Sequence, residues 1–285
     1  MIVVTAATGH LGRLVVEGLL AAVPADQVAI VVRDPGKAAD LAERGVHVRE
    51  ADFDRPAMLE GAFAAGDRVL LISGPDVGAR LNQHKAVVDA AAAAGVALLA
   101  YTSVLHADTT PLAVAPDHLA TEGYIRASGV PFSFLRNGWY TENYAPAALN
   151  GAEHGTIAGS AGEGRVASAT RADYAAAAVA VLTGEGHENT VYELSGDTAW
   201  SMPELAAEVA ALAGRPVTYQ DLPRDEYARV LAAAGLPEPV AAMFAAMDAD
   251  VSQGVLAATP GILSKLIGRP TTPLREALAP LFPAA

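Results

Sequence analysis

The sequence has no cysteine, few aromatic residues and fewer cations than anions. Because cysteine is absent, the 285-residue chain cannot form a disulfide, use a thiolate nucleophile or bind a metal through cysteine. Its 19 Lys and Arg residues are outnumbered by 32 Asp and Glu residues, which gives a formal net charge of −13. Nucleic acids and anionic membranes bind clustered cations, so we expect neither as a partner. Any phosphate site must therefore be local.

Long apolar runs are also missing. The alanine run at residues 90–94 is too short and too weakly apolar to span a bilayer. The chain begins directly with a predicted strand, not with a basic leader followed by an apolar core. We therefore expect a soluble, cytoplasmic protein. The seven histidines lack metal-ligand spacing, and no Gly-x-Ser-x-Gly segment is present, so neither a metal site nor a hydrolase is predicted.

Apolar runs rich in β-formers alternate with helical segments through the first half of the chain. The predicted strands cover residues 2–5, 28–33, 46–49, 68–72, 97–102 and 132–136. The predicted helices between them cover residues 10–22, 35–43, 55–64, 79–94 and 116–128. Most of these strands are continuously apolar, which is typical of a parallel sheet covered by helices on both faces. The pattern predicts an α/β fold of the Rossmann type, with a doubly wound parallel sheet.

Shorter elements follow in the second half. They are a strand near Val166, a helix at 171–182, strands at 191–194 and 216–220, helices at 223–234 and 237–247, and a last helix capped by residues 271–273 that reaches the C-terminus. Ser201 and Glu204 form a capping-box pattern that opens a helix, which Gly214 closes. We predict a cofactor domain at residues 1–145 and a smaller C-terminal α/β substrate lobe at 146–285, with some elements returning to the first domain.

The first predicted strand runs into the turn TAATGHLG and then into a helix. In a parallel sheet, ligands bind at the carboxyl ends of the strands, and a helix start presents N–H groups to phosphate. The pattern is Gly-x-x-Gly-x-x-Gly with Ala6 at the first glycine position. If that position needs a positive φ, the methyl group costs on the order of 1 kcal/mol. We expect a dinucleotide to contact Thr5, Ala6, Ala7, Thr8, Gly9, His10, Leu11 and Gly12.

The end of the second predicted strand indicates which dinucleotide binds. A carboxylate there would accept bonds from a ribose 2′-hydroxyl, but Arg33 occupies the position and Lys37 follows one turn later. Two cations suit a 2′-phosphate, so NADP(H) is predicted in preference to NAD(H). The alternative is a solvated Arg33 paired with Asp34.

Other strand ends supply further expected cofactor contacts. Asp52 and Phe53, with Asp54, are expected to bracket the adenine, and the segment from Ser73 through Gly74 to Pro75 to let the backbone pass close to the cofactor. The full set adds Gln83, Thr102 and Ser103. Gln83 lies beside His84 and Lys85 on a predicted helix, which a solvated face explains equally well.

Six further segments are similar to those of a known family. They are LISGPDVG, YTSVLHADTTPLAVAPDHLATE, SFLRNGWYTENY, GEGRVASATRADYAAAA, YELSGDTAWS and LSKLIGRPTTPL. With the glycine turn, they resemble the NmrA-like atypical short-chain dehydrogenases/reductases, and within these the bacterial type 2 NAD(P)H:quinone oxidoreductases. The resemblance implies NADPH and hydride transfer to a quinone without flavin. It also implies that residues 137–142, including Asn137, Gly138, Trp139 and Tyr140, and residues 168–171 line the cofactor and substrate cleft.

The Tyr-x-x-x-Lys pair of ordinary short-chain dehydrogenases is missing. Counting back from the end of the helix at Ser128, the Tyr position falls on Val114 and the Lys position on His118. His118 could hold the nicotinamide ribose or donate a proton at neutral pH, with Glu122 orienting its ring. Equally, it could simply pack or cap the helix.

A quinone suits a site without a strong acid, because the hydroquinone anion is stabilised by delocalisation and can take a proton from water. Tyr140 and Asn143, with Trp139 and Tyr144, could supply a stacking wall and hydrogen-bond donors, although buried anchoring aromatics are the alternative. The catalytic candidates are therefore His118, Tyr140 and Asn143.

The expected partner is a small-molecule quinone or a similar aromatic acceptor, and a homo-oligomer is compatible with the sequence. Two other functions stay open. One is reduction of another conjugated acceptor, such as a triphenylmethane dye. The other is a non-catalytic regulatory protein that senses NAD(P). His106, beside Asp108, is a further pocket candidate or a member of a loop network.

Overall fold

The computed structural model describes residues 1–74 and 80–282. The chain folds into two units. The first comprises residues 1–109, 114–137 and 171–194, and the second comprises residues 110–113, 138–170 and those from 195 onward. Pro75, the first residue of the predicted helix at 79–94, and the last three positions of the predicted C-terminal helix lie outside the described residues. The predicted division at residue 145 into a cofactor domain and a smaller substrate lobe stays a prediction.

Strands and helices alternate in the first unit, whereas the second mixes short strands with helices. The strands, in chain order, are β1 (Ile2–Thr5), β2 (Val28–Val32), β3 (His47–Glu50), β4 (Arg68–Leu71), β5 (Leu98–Val104), β6 (Phe132–Asn137), β7 (Thr156–Gly159), β8 (Arg165–Val166), β9 (Thr190–Leu194), β10 (Trp200–Ser201) and β11 (Thr218–Asp221). The helices are α1 (His10–Ala22), α2 (Ala39–Glu43), α3 (Arg80–Ala94), α4 (Ala115–Ser128), α5 (Ala145–His154), α6 (Arg171–Thr183), α7 (Met202–Ala213), α8 (Arg224–Ala233), α9 (Glu238–Val251), α10 (Ile262–Ile267) and α11 (Leu274–Leu278).

The first unit is built on one parallel sheet. Within the described chain its strand order is β3-β2-β1-β4-β5-β6-β9, and every neighbouring pair is parallel. The strand order reverses between β1 and β4, so a crevice is expected outside their carboxyl ends. The predicted doubly wound Rossmann-type fold is confirmed.

Helices cover both faces of this sheet, which is why β1, β2 and β5 are buried along their whole length. On one face, α1 packs against α6, and Gly18 allows the close approach because a Cβ there would lie 2.9 Å from Val179 Cγ2. α3 packs against α4. A core cluster that includes Tyr101 and Phe134 lies against the sheet. These packed elements keep the strand ends in register and so position the site.

Two predicted helices of the first unit are wrong in length. Residues 55–64 form only a 3₁₀ turn, Pro56–Leu59, after which Gly61 adopts a φ of +77° that an α-helix does not tolerate. Residues 35–43 divide into a 3₁₀ turn, Pro35–Ala38, and the short helix α2. Proline stands at the start of both 3₁₀ turns and supplies no N–H for a continuing helical ladder.

In the second unit, β7 pairs with β11 in parallel and β8 pairs with β10 in antiparallel fashion. The capping box of Ser201 and Glu204 is present, and Gly214 ends α7 in the left-handed region. The predicted cap of the last helix is wrong. Pro273 holds the N-cap position of α11 without a side-chain bond, and that helix has only five residues.

None of the helices within residues 1–74 and 80–282 combines the length and the apolarity that crossing a bilayer requires.

Candidate functional site

A cavity of about 260 Å³ lies in the first unit at the carboxyl ends of β1, β2 and β4. Its lining combines small or apolar residues with charged ones. It is lined by Ala6, Thr8, Gly9, Val31, Val32, Arg33, Asp34, Lys37, Ala51, Asp52, Phe53, Asp54, Ile72, Gly74 and Gln83. Its position is the one that strand reversal predicts for a ligand site.

The turn after β1 brings backbone amides to this cavity. Ala6 adopts a φ of +49°. The first glycine position therefore does require a positive φ, and the methyl group of Ala6 carries the steric cost expected there. Its carbonyl accepts a bond from Gly9 N at 3.0 Å. A Cβ on Gly12 would lie 2.7 Å from Ala7 Cα and closer still to the Ala6 carbonyl, so only glycine fits there. The glycine allows α1 to begin directly on the strand.

The N-terminus of α1 is suited to an anion. Gly9 is its N-cap residue and makes no side-chain capping bond, and the first turn contains no acidic residue. The helix dipole therefore acts on the cavity without a neutralising carboxylate.

Two cations border the same cavity. Arg33 and Lys37 are both exposed, and Arg33 forms no ion pair with any described residue. The alternative pairing with Asp34 does not occur, because that carboxylate accepts a bond from Gly36 N at 3.0 Å and caps the 3₁₀ turn. The guanidinium is thus available to a ligand.

The cavity residues that follow β3 are held by hydrogen bonds of their own. Asp52 accepts bonds from Asp54 N at 3.1 Å and from Arg55 Nε at 3.3 Å. Asp54 in turn accepts a bond from Gln83 Nε2 at 3.0 Å. Phe53 is half-buried against the core and lines the cavity. These residues therefore present an aromatic ring between two carboxylates whose orientation is set before any ligand binds.

Buried side chains position the loop after β4 by bonding its amides. Thr5 Oγ1 accepts a bond from Ile72 N at 3.0 Å, and Thr102 Oγ1 accepts one from Ser73 N at 2.9 Å. His84 Nε2 accepts a bond from Gly74 N at 3.3 Å. These three bonds fix the backbone of residues 72–74, of which Ile72 and Gly74 line the cavity.

The structure therefore brings together nine of the predicted cofactor residues in the cavity wall: Ala6, Thr8, Gly9, Arg33, Lys37, Asp52, Phe53, Gly74 and Gln83. It places others of the first unit outside the cavity lining: Thr5, Ala7, His10, Leu11, Gly12, Ser73, Thr102, Ser103 and Asn137. Sequence reasoning missed Val31, Val32, Ala51 and Ile72, which are apolar strand-end residues that carry no signal beyond their position.

His118 is buried, with 6% of its surface exposed, and both of its ring nitrogens have protein partners. Arg80 Nη1 donates to Nε2 at 3.1 Å, so Nδ1 carries the proton and meets Tyr101 Oη at 2.8 Å. Burial and the nearby Arg80 charge lower the pKa of His118 to about 3. The side chain is neutral at neutral pH, and this geometry supports the packing alternative over proton donation.

The expected orientation of His118 by Glu122 is wrong. Glu122 is fully buried and accepts two bonds from Arg136, both at 2.8 Å, as well as one from Ser103 Oγ at 2.7 Å. The second guanidinium edge of Arg136 bonds Glu193 at 2.8 Å. His118 and Glu122 lie four residues apart on α4 but do not bond each other. His118 bonds Tyr101 on β5, and Glu122 bonds Arg136 on β6.

His106 and Asp108 also have separate partners. The backbone N–H of His106 donates to Glu193 at 2.8 Å, and its ring lies 3.6 Å from the same carboxylate. Asp108 bonds Arg136 at 3.1 Å. The expected loop network therefore exists, with Arg136 and Glu193 at its centre.

The remaining candidates, Gly138, Trp139, Tyr140 and Asn143, belong to the second unit. There the backbone of residues 139–141 runs beside residue 169: Ala169 N donates to Trp139 O at 3.1 Å, and Thr141 N donates to Ala169 O at 3.0 Å. Tyr140 is half-buried and Asn143 is exposed. The ring of Tyr144 instead packs edge-on against Trp200, with centroids 4.7 Å apart.

A doubly wound parallel sheet with an open helix N-terminus and exposed cations at its switch point defines a Rossmann-type dinucleotide-binding protein. The model of the NmrA-like family matches residues 1–255. The chain belongs to the NmrA-like family.

Whole-length relatives support this membership. The chain is 50% identical over 285 residues to quinone oxidoreductase 2 of Escherichia coli (strain K12), covering 99% of each. The crystal structure of the Escherichia coli NADPH-dependent quinone oxidoreductase complexed with NADPH matches with a TM-score of 0.96 and 49% identity, over 99% of this chain and 100% of that one. Citrobacter sp. triphenylmethane reductase complexed with NADP(H) matches with a TM-score of 0.95 and 41% identity, over 99% of this chain and 100% of that one.

Proposed function

We propose that the protein is an NADPH-dependent reductase that transfers a hydride to a quinone. The observation that carries this proposal is the cavity of the first unit, where an uncapped helix N-terminus and two exposed cations meet. The whole-length likeness to a quinone oxidoreductase supports the choice of acceptor.

The residues present fit the cofactor. The amides of the first turn of α1, residues 10–12, would hold the diphosphate, and the missing side chain of Gly12 keeps the helix close enough for this. Arg33 and Lys37 would bind the 2′-phosphate, and the Phe53 ring would lie against the adenine. When bound, NADPH supplies the hydride.

In this proposal the protein acts by positioning the acceptor against the nicotinamide and not by acid–base catalysis. His118 is neutral and engaged on both nitrogens, so we do not propose it as a proton donor. Tyr140 and Asn143 stay candidate contacts of the nicotinamide or the acceptor, together with Asn137, Gly138 and Trp139. Holding a flat electrophile against the nicotinamide and excluding water is enough for this reaction.

The test is NADPH oxidation with benzoquinone as acceptor and NADH as the control coenzyme. We expect quinone-dependent oxidation of NADPH with a higher kcat/KM than of NADH. Binding of NADPH without turnover of any acceptor would contradict the reductase assignment and support the regulatory alternative.

A triphenylmethane dye is a second candidate acceptor. The observation in its favour is the likeness to triphenylmethane reductase over nearly the whole chain. A cationic dye run in parallel with benzoquinone separates the two, because the higher kcat/KM identifies the better acceptor.

We also propose that the protein has no nucleic-acid partner, on the basis of its net charge of −13. A cytoplasmic location stays a prediction. A homo-oligomer stays a prediction, and sedimentation of the purified chain tests it.

A further inference from the structure

A polar and aromatic cluster lies in the second unit where α9 meets the end of β7. Ser160 Oγ donates to Ala245 O at 3.1 Å, and Ser160 N donates to Asp248 Oδ2. The contact depends on Gly159, because a Cβ there would lie 2.8 Å from Asp248 Oδ2 and 3.0 Å from Tyr219 Oη. One carboxylate oxygen of Asp248 is therefore anchored beside the strand.

The remaining polar atoms of the cluster differ in how well they are partnered. The Tyr219 hydroxyl has both a donor and an acceptor partner: it donates to Asp221 at 2.9 Å and accepts from Ala161 N at 3.0 Å. Within the part of the chain that the structure describes, Asp248 Oδ1 and the hydroxyls of Tyr144 and Tyr227 form no hydrogen bond, and none of the three is sealed from solvent. Three half-buried groups thus retain hydrogen-bonding capacity.

Burial and the neighbouring groups shift the pKa values of Tyr144, Tyr227 and Asp248. Burial raises the pKa of Tyr227 to about 12, and the charge of Asp248 adds to the effect. Burial raises the pKa of Tyr144 well above its ordinary value, with Asp248, Tyr227 and Tyr219 contributing. Burial also raises the pKa of Asp248, against the opposing bond from Ser160 N. Both phenols are therefore neutral O–H donors at neutral pH.

Apolar surface accompanies the polar atoms. The ring of Tyr144 packs edge-on against Trp200, and Phe244 lies one helical turn before Asp248 on α9 with 44% of its surface exposed. Residues four apart on a helix are neighbours on one face. A flat aromatic ligand can bury apolar area here while its oxygens meet phenols and a carboxylate.

We propose that Tyr144, Tyr227 and Asp248 form a binding site for the acceptor, a neutral quinone that leaves as its hydroquinone. The phenols donate to the quinone carbonyl oxygens; NADPH would supply the hydride and water the proton that complete the hydroquinone, and Asp248 Oδ1 accepts from a hydroxyl of that product. The free carboxylate oxygen excludes anionic acceptors by charge repulsion. This inference rests on the proposed function for the identity of the ligand, and on the cluster itself for the location.

The test compares Tyr227→Phe, Tyr144→Phe and Asp248→Asn with Tyr124→Phe, a matched control in the first unit whose hydroxyl bonds Asp89. Each cluster variant removes a hydroxyl or a charge and keeps the shape of the side chain. We expect KM for benzoquinone to rise about three- to tenfold, the value of one hydrogen bond. Kd for NADPH and Tm should stay unchanged, and the control should match the parent protein. Unchanged KM for benzoquinone in the cluster variants would overturn the inference.

Calorimetric titration with benzene-1,4-diol separates this inference from the proposed function, because it needs no turnover. If the parent protein does not oxidise NADPH with quinones, the proposed function fails by itself. Weaker binding of the diol by Tyr227→Phe and Asp248→Asn than by the parent protein supports the site. Equal binding, or no binding by the parent protein, overturns it.

Discussion

Replacing Arg33 tests how the protein distinguishes NADPH from NADH. The side chain is exposed, borders the cavity and has no ion pair among the described residues. A hydrogen bond to a charged group contributes about 1.5 to 3 kcal/mol, and solvent exposure favours the lower end. Arg33→Ser should therefore weaken NADPH binding about tenfold. Arg33→Asp adds a repulsion of about 1 kcal/mol and should weaken it roughly 50-fold.

The assay is fluorescence titration with NADPH and with NADH at low and high salt. NADH binding should change less than threefold, roughly, because its 2′-hydroxyl carries no charge, and the NADPH effect should shrink as salt screens it. Arg44 gives a matched control, since it pairs with Glu17 at 2.6 Å and does not line the cavity. Arg44→Ser changes the net charge equally and should leave both affinities unaltered. Equal losses for both coenzymes would refute the assignment of Arg33.

Three further predictions follow from packing and protonation. Gly12→Ala forces a Cβ into the Ala6 turn and should cost about 2 kcal/mol or more of unfolding free energy, with loss of NADPH binding; full stability in urea would contradict this. Arg136→Met removes the closest cation from the buried carboxylate of Glu122, which keeps only Ser103 Oγ at 2.7 Å and Arg126 at 3.4 Å, and should cost about 3 kcal/mol in the same assay, with partial recovery when Glu122→Gln is added; a cost no larger than that of an exposed pair would contradict it. Because folding lowers the pKa of His84 to about 4 and that of His118 to about 3, the unfolded chain binds more protons below about pH 6.5. Stability should fall as pH falls from about 6.5 to 4, and His118→Asn should flatten that slope; an unchanged slope would contradict the buried, neutral state.

The first half of the fold could be predicted because its signals are local. Continuous apolar runs identified β1, β2, β4, β5 and β6 to within about two residues at either end. The place of β9 beside β6 could not be predicted, since parallel pairing joins residues far apart in sequence. β7 was missed because it has only four residues, TIAG, and two of them, Ala and Gly, are depleted in strands.

Site residues could be predicted from the sequence where their position depends only on the local backbone pattern. Gly12 and the positive φ of Ala6 follow from the strand–turn–helix pattern, and Arg33 from its position after β2. The hydroxyls of Thr5 and Thr102 accept bonds from the backbone amides of Ile72 and Ser73, which no local pattern indicates. Likewise, the spacing of His118 and Glu122 predicted a contact, but Arg136 on a distant strand binds the carboxylate.

The central claim is that the first unit binds a dinucleotide with a 2′-phosphate. Isothermal titration of the parent protein with NADPH and with NADH tests it most directly. The structure predicts saturable binding of one NADPH per chain and about tenfold weaker binding of NADH. Absence of a saturable signal with NADPH, or NADH binding at least as tightly, would contradict the claim.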